Sequence, residues 1–359
     1  TFNEIEWGEH YGNKAPSEIF TLKNDFDAET LVKTLKDAGF KKLIVTAKHH
    51  DGFCLYPSEY TDFNSVKKGP MRDITGELCE AVEKTDMKMG LYYSGFLNWR
   101  FDDEPVFSKS NIETYCCPTA EYADFVYHQS KELIDKYHPS LFWNDVGWPK
   151  AGENHLKHLL AHYYNVCEEA VVNDRFSSFY HGYLTKEYKS GVATRIDKWE
   201  MCRGLGLSFG YNAMENDQNA ISSKDLIDLL VSTVGNNGNL LVNVGPKADG
   251  TIPDWQAERL LALGKWLNIN GEAIYGTRIC ERETIETDSV HMHFTQKNEK
   301  LYLLLTKVPT QKFEIFVSDI DKIPTPLDSA IKFHAVNENG GCKITVEARE
   351  SDYAIAFQF

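Results

Sequence analysis

The segment LFWNDVGWP, residues 141–149, places a carboxylate directly after a short apolar run and between two tryptophans. An apolar run of this length that follows a long amphipathic helix is typical of a buried parallel strand. Asp145 then lies at the carboxyl end of the strand, where α/β barrels carry their catalytic residues. Trp143 and Trp148 offer apolar faces on which a sugar ring can stack. We therefore interpret Asp145 as a candidate glycosidase nucleophile; the alternative is a helix N-cap or a hydrogen-bonded loop carboxylate.

Helical and strand patterns alternate on both sides of this segment, from residue 27 to about residue 245. This rhythm predicts a parallel sheet covered by helices. Polar residues follow several different strands, which favours a (β/α)8-like barrel over a doubly wound sheet. We predict helices at 27–39, 73–84, 120–137, 154–169, 222–234 and 253–268, and strands at 42–47, 89–94, 141–145, 170–174, 198–201 and 239–244.

The pattern changes after residue 277, where short β-type runs follow one another with turn residues between them. Examples are the apolar runs at 290–294, 301–305, 313–317, 343–347 and 354–357. Such spacing is typical of a small antiparallel β-sandwich. We therefore predict a catalytic barrel domain over residues 1–277 and a C-terminal β-sandwich over residues 278–359.

The composition excludes several classes of partner. The formal net charge of the 359 residues is −15, which argues against nucleic acid and anionic membranes because both need basic patches. No apolar stretch approaches the ~18 residues of a membrane span. The eight cysteines are scattered without a Cys-x-x-Cys pair, which favours a reducing, cytoplasmic setting. Because the chain starts at Thr1, a periplasmic or secreted location stays an alternative. Assembly into a homo-oligomer is also an open alternative.

Other side chains could contribute chemistry, each with a structural alternative. His49 and His50 follow a predicted strand and could bind hydroxyl groups or a metal, or could be one packing and one surface histidine. Arg175 could clamp an anionic or hydroxyl group, or form a structural pair with an aspartate. Glu187 lies in a polar stretch that we interpret as a rim loop, where an ordinary solvated glutamate is the alternative. Glu200 adds a further carboxylate.

Several long segments, taken together and in order, resemble one known family, the α-L-fucosidases of glycoside hydrolase family 29. The resemblance covers nearly the whole chain and is strongest to bacterial members of the broad-substrate subfamily. The segments are VTAKHHDGFCLYPSEYTDFNS (45–65), GLYYSGFLNWR (90–100), LFWNDVGWP (141–149), VVNDRF (171–176), KWEMCRGLGLSFGYN (198–212) and NLLVNVGPKADGTIPDWQAERL (239–260).

The resemblance implies an irregular (β/α)8-like barrel with a C-terminal β-sandwich, and a retaining exo-fucosidase that needs no metal or other cofactor. It implies that Asp145 is the nucleophile and Glu187 the general acid/base, with Glu200 as the second choice for that role. The family's first strand ends in His-Trp-Gly, which this sequence lacks, so the presence of that strand stays open. The residues expected to contact fucose or to flank the nucleophile are His49, His50, Tyr92, Trp143, Arg175, Phe209, Glu6 and Trp7.

The implied mechanism is double displacement on a substrate that carries terminal α-L-fucose. Asp145 attacks the anomeric carbon while Glu187 protonates the leaving oxygen and later activates water. Retention requires the two carboxyl groups to lie ~5–5.5 Å apart. Two other functions stay open: a metal-dependent hydrolase that uses His49, His50 and a carboxylate, and a fucose-binding protein without catalytic activity.

Overall fold

The structure is a computed structural model, and it describes residues 26–101, 119–188, 196–247, 249–287 and 289–359. The chain divides into two compact units. The first contains the described residues up to Thr185 together with Gly206–Glu215 and Val244–Asp254. The second contains Lys186–Leu205, Asn216–Asn243 and Trp255–Phe359. The domain division that the sequence suggests at residue 277 stays a prediction.

Helices and strands alternate through the first two thirds of the chain, and strands follow one another after that. The helices are α1 (Ala28–Asp37), α2 (Ile74–Glu83), α3 (Ala120–Tyr137), α4 (Glu153–Val166), α5 (Ser223–Gly235) and α6 (Asp254–Asn270). The strands are β1 (Lys42–Lys48), β2 (Lys88–Ser94), β3 (Leu141–Asp145), β4 (Leu184–Glu187), β5 (Trp199–Gly204), β6 (Gly238–Asn243), β7 (Ile285–Glu286), β8 (His291–Lys297), β9 (Lys300–Thr306), β10 (Phe313–Ser318), β11 (Thr325–Pro326), β12 (Phe333–Glu338), β13 (Gly341–Val346) and β14 (Ile355–Gln358).

A parallel sheet of β1, β2 and β3, with β2 in the middle, forms the centre of the first unit. Its strands are largely apolar because helices cover such sheets; Leu91 and Phe142 are almost completely buried. The helices between the strands begin at side-chain caps. The Asp73 carboxylate accepts the Gly76 N–H at the start of α2, and Thr119 accepts the Tyr122 N–H at the start of α3.

The second unit contains most of another sheet and the C-terminal β-structure. Strands β4, β5 and β6 form a three-stranded sheet in that order, and β5 and β6 are parallel. The C-terminal strands form two antiparallel sheets, one of β10, β13 and β12 and one of β11, β14, β9, β8 and β7. Apolar side chains from both sheets, including Phe294, Leu303, Val317, Ile344 and Phe357, form one buried cluster. The predicted antiparallel C-terminal structure is confirmed.

Two local predictions are wrong. Residues 170–174 do not form a strand: Val172 bridges Phe142 while Asn173 bridges Tyr183, so no two successive residues pair with the same strand. Glu187 does not lie in a loop but ends β4, a strand of only four residues. Its sequence LTKE is too short and too polar to show the alternation that identifies a strand. Among the described residues, no helix has the length and apolar character needed to cross a membrane.

Candidate active site

The carboxyl ends of β1, β2 and β3 bring five of the predicted site residues together: His49, His50, Tyr92, Trp143 and Asp145. In the register of β2 and β3, Tyr92 lies opposite Trp143 and Ser94 lies opposite Asp145. The β1–β2 register shifts between Thr46 and Lys48, and β1 ends at Lys48. His49 and His50 therefore follow the strand rather than continue it. This explains how two adjacent histidines can both face one carboxylate, since neighbours within a strand point to opposite faces.

The Asp145 carboxylate is the centre of this arrangement. The Tyr92 hydroxyl donates a hydrogen bond to Asp145 Oδ2 at 2.5 Å, and Arg175 Nη1 donates to Oδ1 at 2.5 Å. The Val146 N–H also donates to Oδ1, at 2.8 Å. The Asp145 side chain keeps 14% of its surface exposed, so solvent or a ligand can reach it. The carboxylate is thus held in one orientation but is not sealed off.

The backbone turns sharply just after Asp145. Val146 has φ +63° and Gly147 has φ +114°. A left-handed conformation is unfavourable for a β-branched residue and costs on the order of 1–3 kcal/mol. Such strain is often found where a turn must aim a functional group. Here the turn points the Val146 N–H back at Asp145.

A pair of buried asparagines joins the end of β3 to the segment that carries Arg175. Asn173 Nδ2 donates to the Asn144 carbonyl at 2.9 Å, and the Asn144 N–H donates to Asn173 Oδ1 at 3.2 Å. Asn144 Nδ2 also donates to the Arg175 carbonyl at 2.9 Å. These bonds fix Arg175 beside Asp145. Our sequence reasoning missed this role of Asn144 and Asn173, although both lie in the segments that carry the family resemblance.

The other side of Arg175 is held by Thr185 at the start of β4. Arg175 Nε donates to Thr185 Oγ1 at 3.2 Å, and Thr185 in turn donates its N–H and its hydroxyl to Asp174 Oδ1. The guanidinium is therefore oriented from two sides before any ligand binds. Preorganised donors of this kind stabilise charge without reorganisation during a reaction.

Aromatic rings form one wall of the site. His49 stacks on Tyr92 with ring centroids 5.4 Å apart, and Tyr92 stacks on Trp143 at 5.3 Å. The Arg175 guanidinium lies over the Trp143 ring, 4.6 Å from its centroid. The stack explains why Trp143 is almost fully buried: its faces pack against Tyr92 and Arg175, so it supports the site residues.

Trp148 differs from the sequence interpretation. It is 9% exposed, donates its indole N–H to the Gly152 carbonyl at 2.8 Å and packs near Phe176 at a ring distance of 5.9 Å. The interpretation of Trp148 as an open sugar platform is therefore wrong. Sequence adjacency to Asp145 could not reveal this, because two residues with positive φ, Val146 and Gly147, separate Trp148 from the strand.

A hydrogen bond with Ser94 orients the His50 ring. His50 Nδ1 lies 2.7 Å from Ser94 Oγ, and Ser94 Oγ–H donates to the Leu97 carbonyl at 3.0 Å. A carbonyl can only accept, so Ser94 Oγ must accept the proton of His50 Nδ1. Lys48, completely buried, donates to the Ser94 and Leu97 carbonyls at 2.5 and 3.3 Å. These contacts hold the His50 ring in one orientation at the end of β1.

Electrostatics keep Asp145 ionised. Burial alone raises the pKa of this carboxyl, but the charges of His50 and Arg175, the hydrogen bond from Tyr92 and the charge of His49 outweigh burial. The net effect lowers the pKa of Asp145 below its ordinary value of 3.8. An anionic carboxylate at the carboxyl end of a barrel strand is suited to attack an electrophilic carbon.

The same residues offer a set of potential metal ligands. Donor atoms of His49, His50 and Asp145 all lie within 4.8 Å of one another, the one such group found among the described residues. In the alternative of a metal-dependent hydrolase, the carboxylate would therefore be Asp145. Arg175 argues against a cation here, because its guanidinium already neutralises the carboxylate. The set of donors fits hydrogen bonding to sugar hydroxyls at least as well as metal ligation.

The two candidate acid/base residues lie in the second unit. Glu187 ends β4 and is partly buried, whereas Glu200 lies within β5 and is 6% exposed. Strands β4 and β5 are neighbours in one sheet. The greater exposure of Glu187 suits a residue that must reach a leaving group and water. The distance from either carboxyl to Asp145, and the choice between them, stay predictions.

The remaining predicted residues are Phe209, Glu6 and Trp7. Phe209 is partly buried in the loop Gly206–Glu215 of the first unit. This loop is held by the buried Glu215 carboxylate, which accepts the Leu207 and Ser208 N–H groups at 2.6 and 2.7 Å. Glu6 and Trp7 lie outside the described residues, so their contribution stays a prediction.

Removing the Tyr92 hydroxyl is expected to shift the pH dependence of catalysis. The Tyr92 hydrogen bond is one of the interactions that lower the Asp145 pKa, so Tyr92→Phe raises that pKa. A nucleophilic carboxylate must be ionised to attack, so activity that depends on Asp145 should be lost as the pH falls through its pKa. The acidic limb of the kcat/KM profile should therefore move to higher pH, which a pH–rate profile of both enzymes measures. An unmoved acidic limb would contradict this assignment of the limb to Asp145.

An ionised aspartate at a strand end, beside histidines, a tyrosine and an arginine that can bind hydroxyl groups, is typical of glycoside hydrolases. A family model described as Alpha-L-fucosidase matches residues 1–272. The chain therefore belongs to the alpha-L-fucosidase family.

Similarity to individual proteins agrees with this. Over 268 residues the chain is 36% identical to the alpha-L-fucosidase of Dictyostelium discoideum. The aligned region covers 70% of this chain and 56% of that protein. The chain thus spans little more than half the length of that relative. A crystal structure of Thermotoga maritima alpha-fucosidase is 40% identical with a TM-score of 0.86, covering 95% of this chain and 80% of that chain. A structure of Thermotoga maritima alpha-fucosidase with fucose is 38% identical, with a TM-score of 0.86 and coverages of 98% and 83%.

The comparisons confirm the predicted family and fold class, a (β/α)8-like barrel followed by a C-terminal β-sandwich. The bacterial, broad-substrate subfamily stays a prediction, as does the question of the first barrel strand.

Proposed function

We propose that this protein is a retaining exo-α-L-fucosidase that hydrolyses terminal α-L-fucose from fucosylated glycans or glycosides. The observation that carries the proposal is the ionised Asp145, held by Tyr92 and Arg175 at the end of a parallel strand. It is supported by membership of the family and by the similar Thermotoga maritima structure that contains fucose.

In the first step of the proposed reaction, Asp145 attacks the anomeric carbon and forms a fucosyl ester with inversion. As the ester forms, Asp145 loses its negative charge, while positive charge develops on the sugar ring in the transition state. Glu187 gives its proton to the leaving oxygen, which departs as an alcohol. His49 and His50 have ring nitrogens that can bind the hydroxyls of the sugar and so fix its position.

In the second step, Glu187 takes a proton from water, which attacks the same carbon with a second inversion. The Asp145 carboxylate leaves and is again stabilised by Arg175 and Tyr92. The two inversions give net retention. The released sugar is therefore α-L-fucose, which mutarotates only afterwards.

The anomer of the first product tests this proposal. Hydrolysis of 4-nitrophenyl α-L-fucoside, followed by proton NMR within the first minutes, should show α-L-fucose before β-L-fucose appears. Parallel assays with the 4-nitrophenyl glycosides of α-L-rhamnose and β-D-galactose serve as specificity controls. Initial release of β-L-fucose would contradict the retaining mechanism. Fucose binding without turnover would favour the alternative of a non-catalytic fucose-binding protein.

A metal chelator is expected to leave the activity unchanged. Arg175 already balances the Asp145 charge, and the proposed reaction uses only side chains of the protein and water. The measurement is kcat/KM for 4-nitrophenyl α-L-fucoside after prolonged dialysis against EDTA, and then after addition of Zn²⁺ or Mn²⁺. Loss of activity in EDTA with recovery on metal addition would favour the alternative in which His49, His50 and Asp145 bind a catalytic metal.

A further inference from the structure

Tyr188, the residue directly after Glu187, has an unfavourable backbone conformation. Its φ is +50°, in the left-handed region that bulky side chains rarely adopt. Such a conformation persists only where the surroundings hold it. Tyr188 directly follows β4, which ends at Glu187.

Three interactions with the end of β5 hold Tyr188 in this conformation. Its N–H donates to the Cys202 carbonyl at 3.2 Å. Its hydroxyl oxygen accepts the Gly204 N–H at 2.9 Å. The Arg203 guanidinium carbon lies 5.4 Å from the centroid of its ring. Three successive residues of one strand thus contact the backbone, the ring and the hydroxyl of a single tyrosine.

The result is a rigid connection between β5 and the residue next to Glu187. Burial lowers the pKa of Arg203, so this guanidinium lies in a partly water-excluded position and its contact with the tyrosine face is stronger than at an open surface. Nothing in the proposed reaction needs the Tyr188 side chain to touch the substrate. The contacts therefore call for a different explanation than substrate binding.

We propose that Tyr188 is a positioning residue that fixes the Glu187 carboxyl for proton transfer to the leaving oxygen. The inference rests on the proposed function and on Glu187 as its acid/base. Proton transfer needs the carboxyl within hydrogen-bond reach of that oxygen, and a displacement of about 1 Å can cost about 10²-fold in rate. Without the Tyr188 contacts, the end of β4 relaxes toward an ordinary backbone conformation and the carboxyl moves with it.

A mispositioned acid has a distinctive kinetic signature. Protonation matters most when the leaving group is a strongly basic alcohol and least when it is a stable phenolate. The value of kcat/KM reports the first step, in which the leaving group departs. Tyr188→Ala should therefore lower kcat/KM about 10²-fold for phenyl α-L-fucoside and much less for 2-chloro-4-nitrophenyl α-L-fucoside. A general structural defect would lower both alike.

Two further variants make the test specific. Tyr188→Phe keeps the ring under Arg203 and the backbone hydrogen bond to Cys202 but loses the acceptor for the Gly204 N–H, so its leaving-group effect should lie between wild type and Tyr188→Ala. Tyr60→Ala removes another exposed tyrosine, whose ring stacks on His128, and should show no leaving-group effect.

A double-mutant comparison shows whether Tyr188 acts through Glu187. In the Glu187→Ala background, adding Tyr188→Ala should cause no further leaving-group-dependent loss, because the acid is already absent. An equal loss for both fucosides, an unchanged Tyr188→Ala enzyme, or additive effects in the double variant would overturn the proposal. Failure of the proposed function would look different: the wild-type enzyme would hydrolyse neither fucoside.

Discussion

Asp145→Ala is expected to abolish fucoside hydrolysis, with kcat for 4-nitrophenyl α-L-fucoside falling by about 10⁴-fold or more. The variant lacks the proposed nucleophile, a carboxylate that Tyr92 and Arg175 hold in one orientation. Azide fits the space left by the carboxylate and should restore turnover. Since it attacks once, with inversion, its product should be β-L-fucosyl azide.

The matched control is Asp124→Ala, which removes an exposed aspartate on α3. Its activity and its thermal unfolding midpoint should match those of the wild type. Activity of Asp145→Ala within tenfold of wild type would show that another group is the nucleophile. Loss of activity without azide rescue, in a variant that still unfolds cooperatively, would count against a purely nucleophilic role.

Glu187→Ala is expected to lower kcat/KM about 10²- to 10⁴-fold for substrates with poor leaving groups, because general acid catalysis contributes about that much. With an activated aryl fucoside, the first step should still occur, because the leaving group needs little protonation. The second step should be slow, so the fucosyl-enzyme should accumulate. Azide then attacks this intermediate with a second inversion. The product should be α-L-fucosyl azide, the opposite anomer to that formed by Asp145→Ala.

Glu200→Ala decides between the two candidate acids. Glu200 lies within β5 and is buried, so its removal should disturb stability more than leaving-group selectivity. The measurement is the anomer of the azide product together with the leaving-group dependence of kcat/KM for both variants. Formation of α-L-fucosyl azide by Glu200→Ala, and not by Glu187→Ala, would transfer the acid/base role to Glu200.

Apolar periodicity predicted the parts of the fold in which one face is buried. The strand that ends at Asp145 and the helix Ala120–Tyr137 have the predicted bounds, because the apolar run of the strand and the periodicity of the helix are clear and both have distinct ends. The polar strand Leu184–Glu187 carries no such pattern, since it is held by pairing with its neighbour. Glu187 was therefore predicted as a candidate acid but placed in the wrong kind of element.

The site itself could be predicted only in part. His49, His50, Tyr92 and Asp145 follow strands or lie near their ends, and the shared edge of a parallel sheet brings such residues together. Arg175 follows two isolated bridges rather than a strand. The interactions that hold these side chains in place could not be predicted from the sequence. They join residues that are far apart in the chain, and they depend on backbone turns. Examples are the Asn144–Asn173 pair, the left-handed Val146, the Ser94 contact of His50 and the buried Lys48.

The central claim is that Asp145 becomes covalently attached to the sugar. The most direct measurement is incubation with a 2-deoxy-2-fluoro-L-fucosyl fluoride, which slows breakdown of the intermediate, followed by peptic digestion and tandem mass spectrometry. We expect time-dependent inactivation and a single added fluorofucosyl group on Asp145. Labelling of a different carboxylate, or inactivation without any covalent adduct, would contradict it.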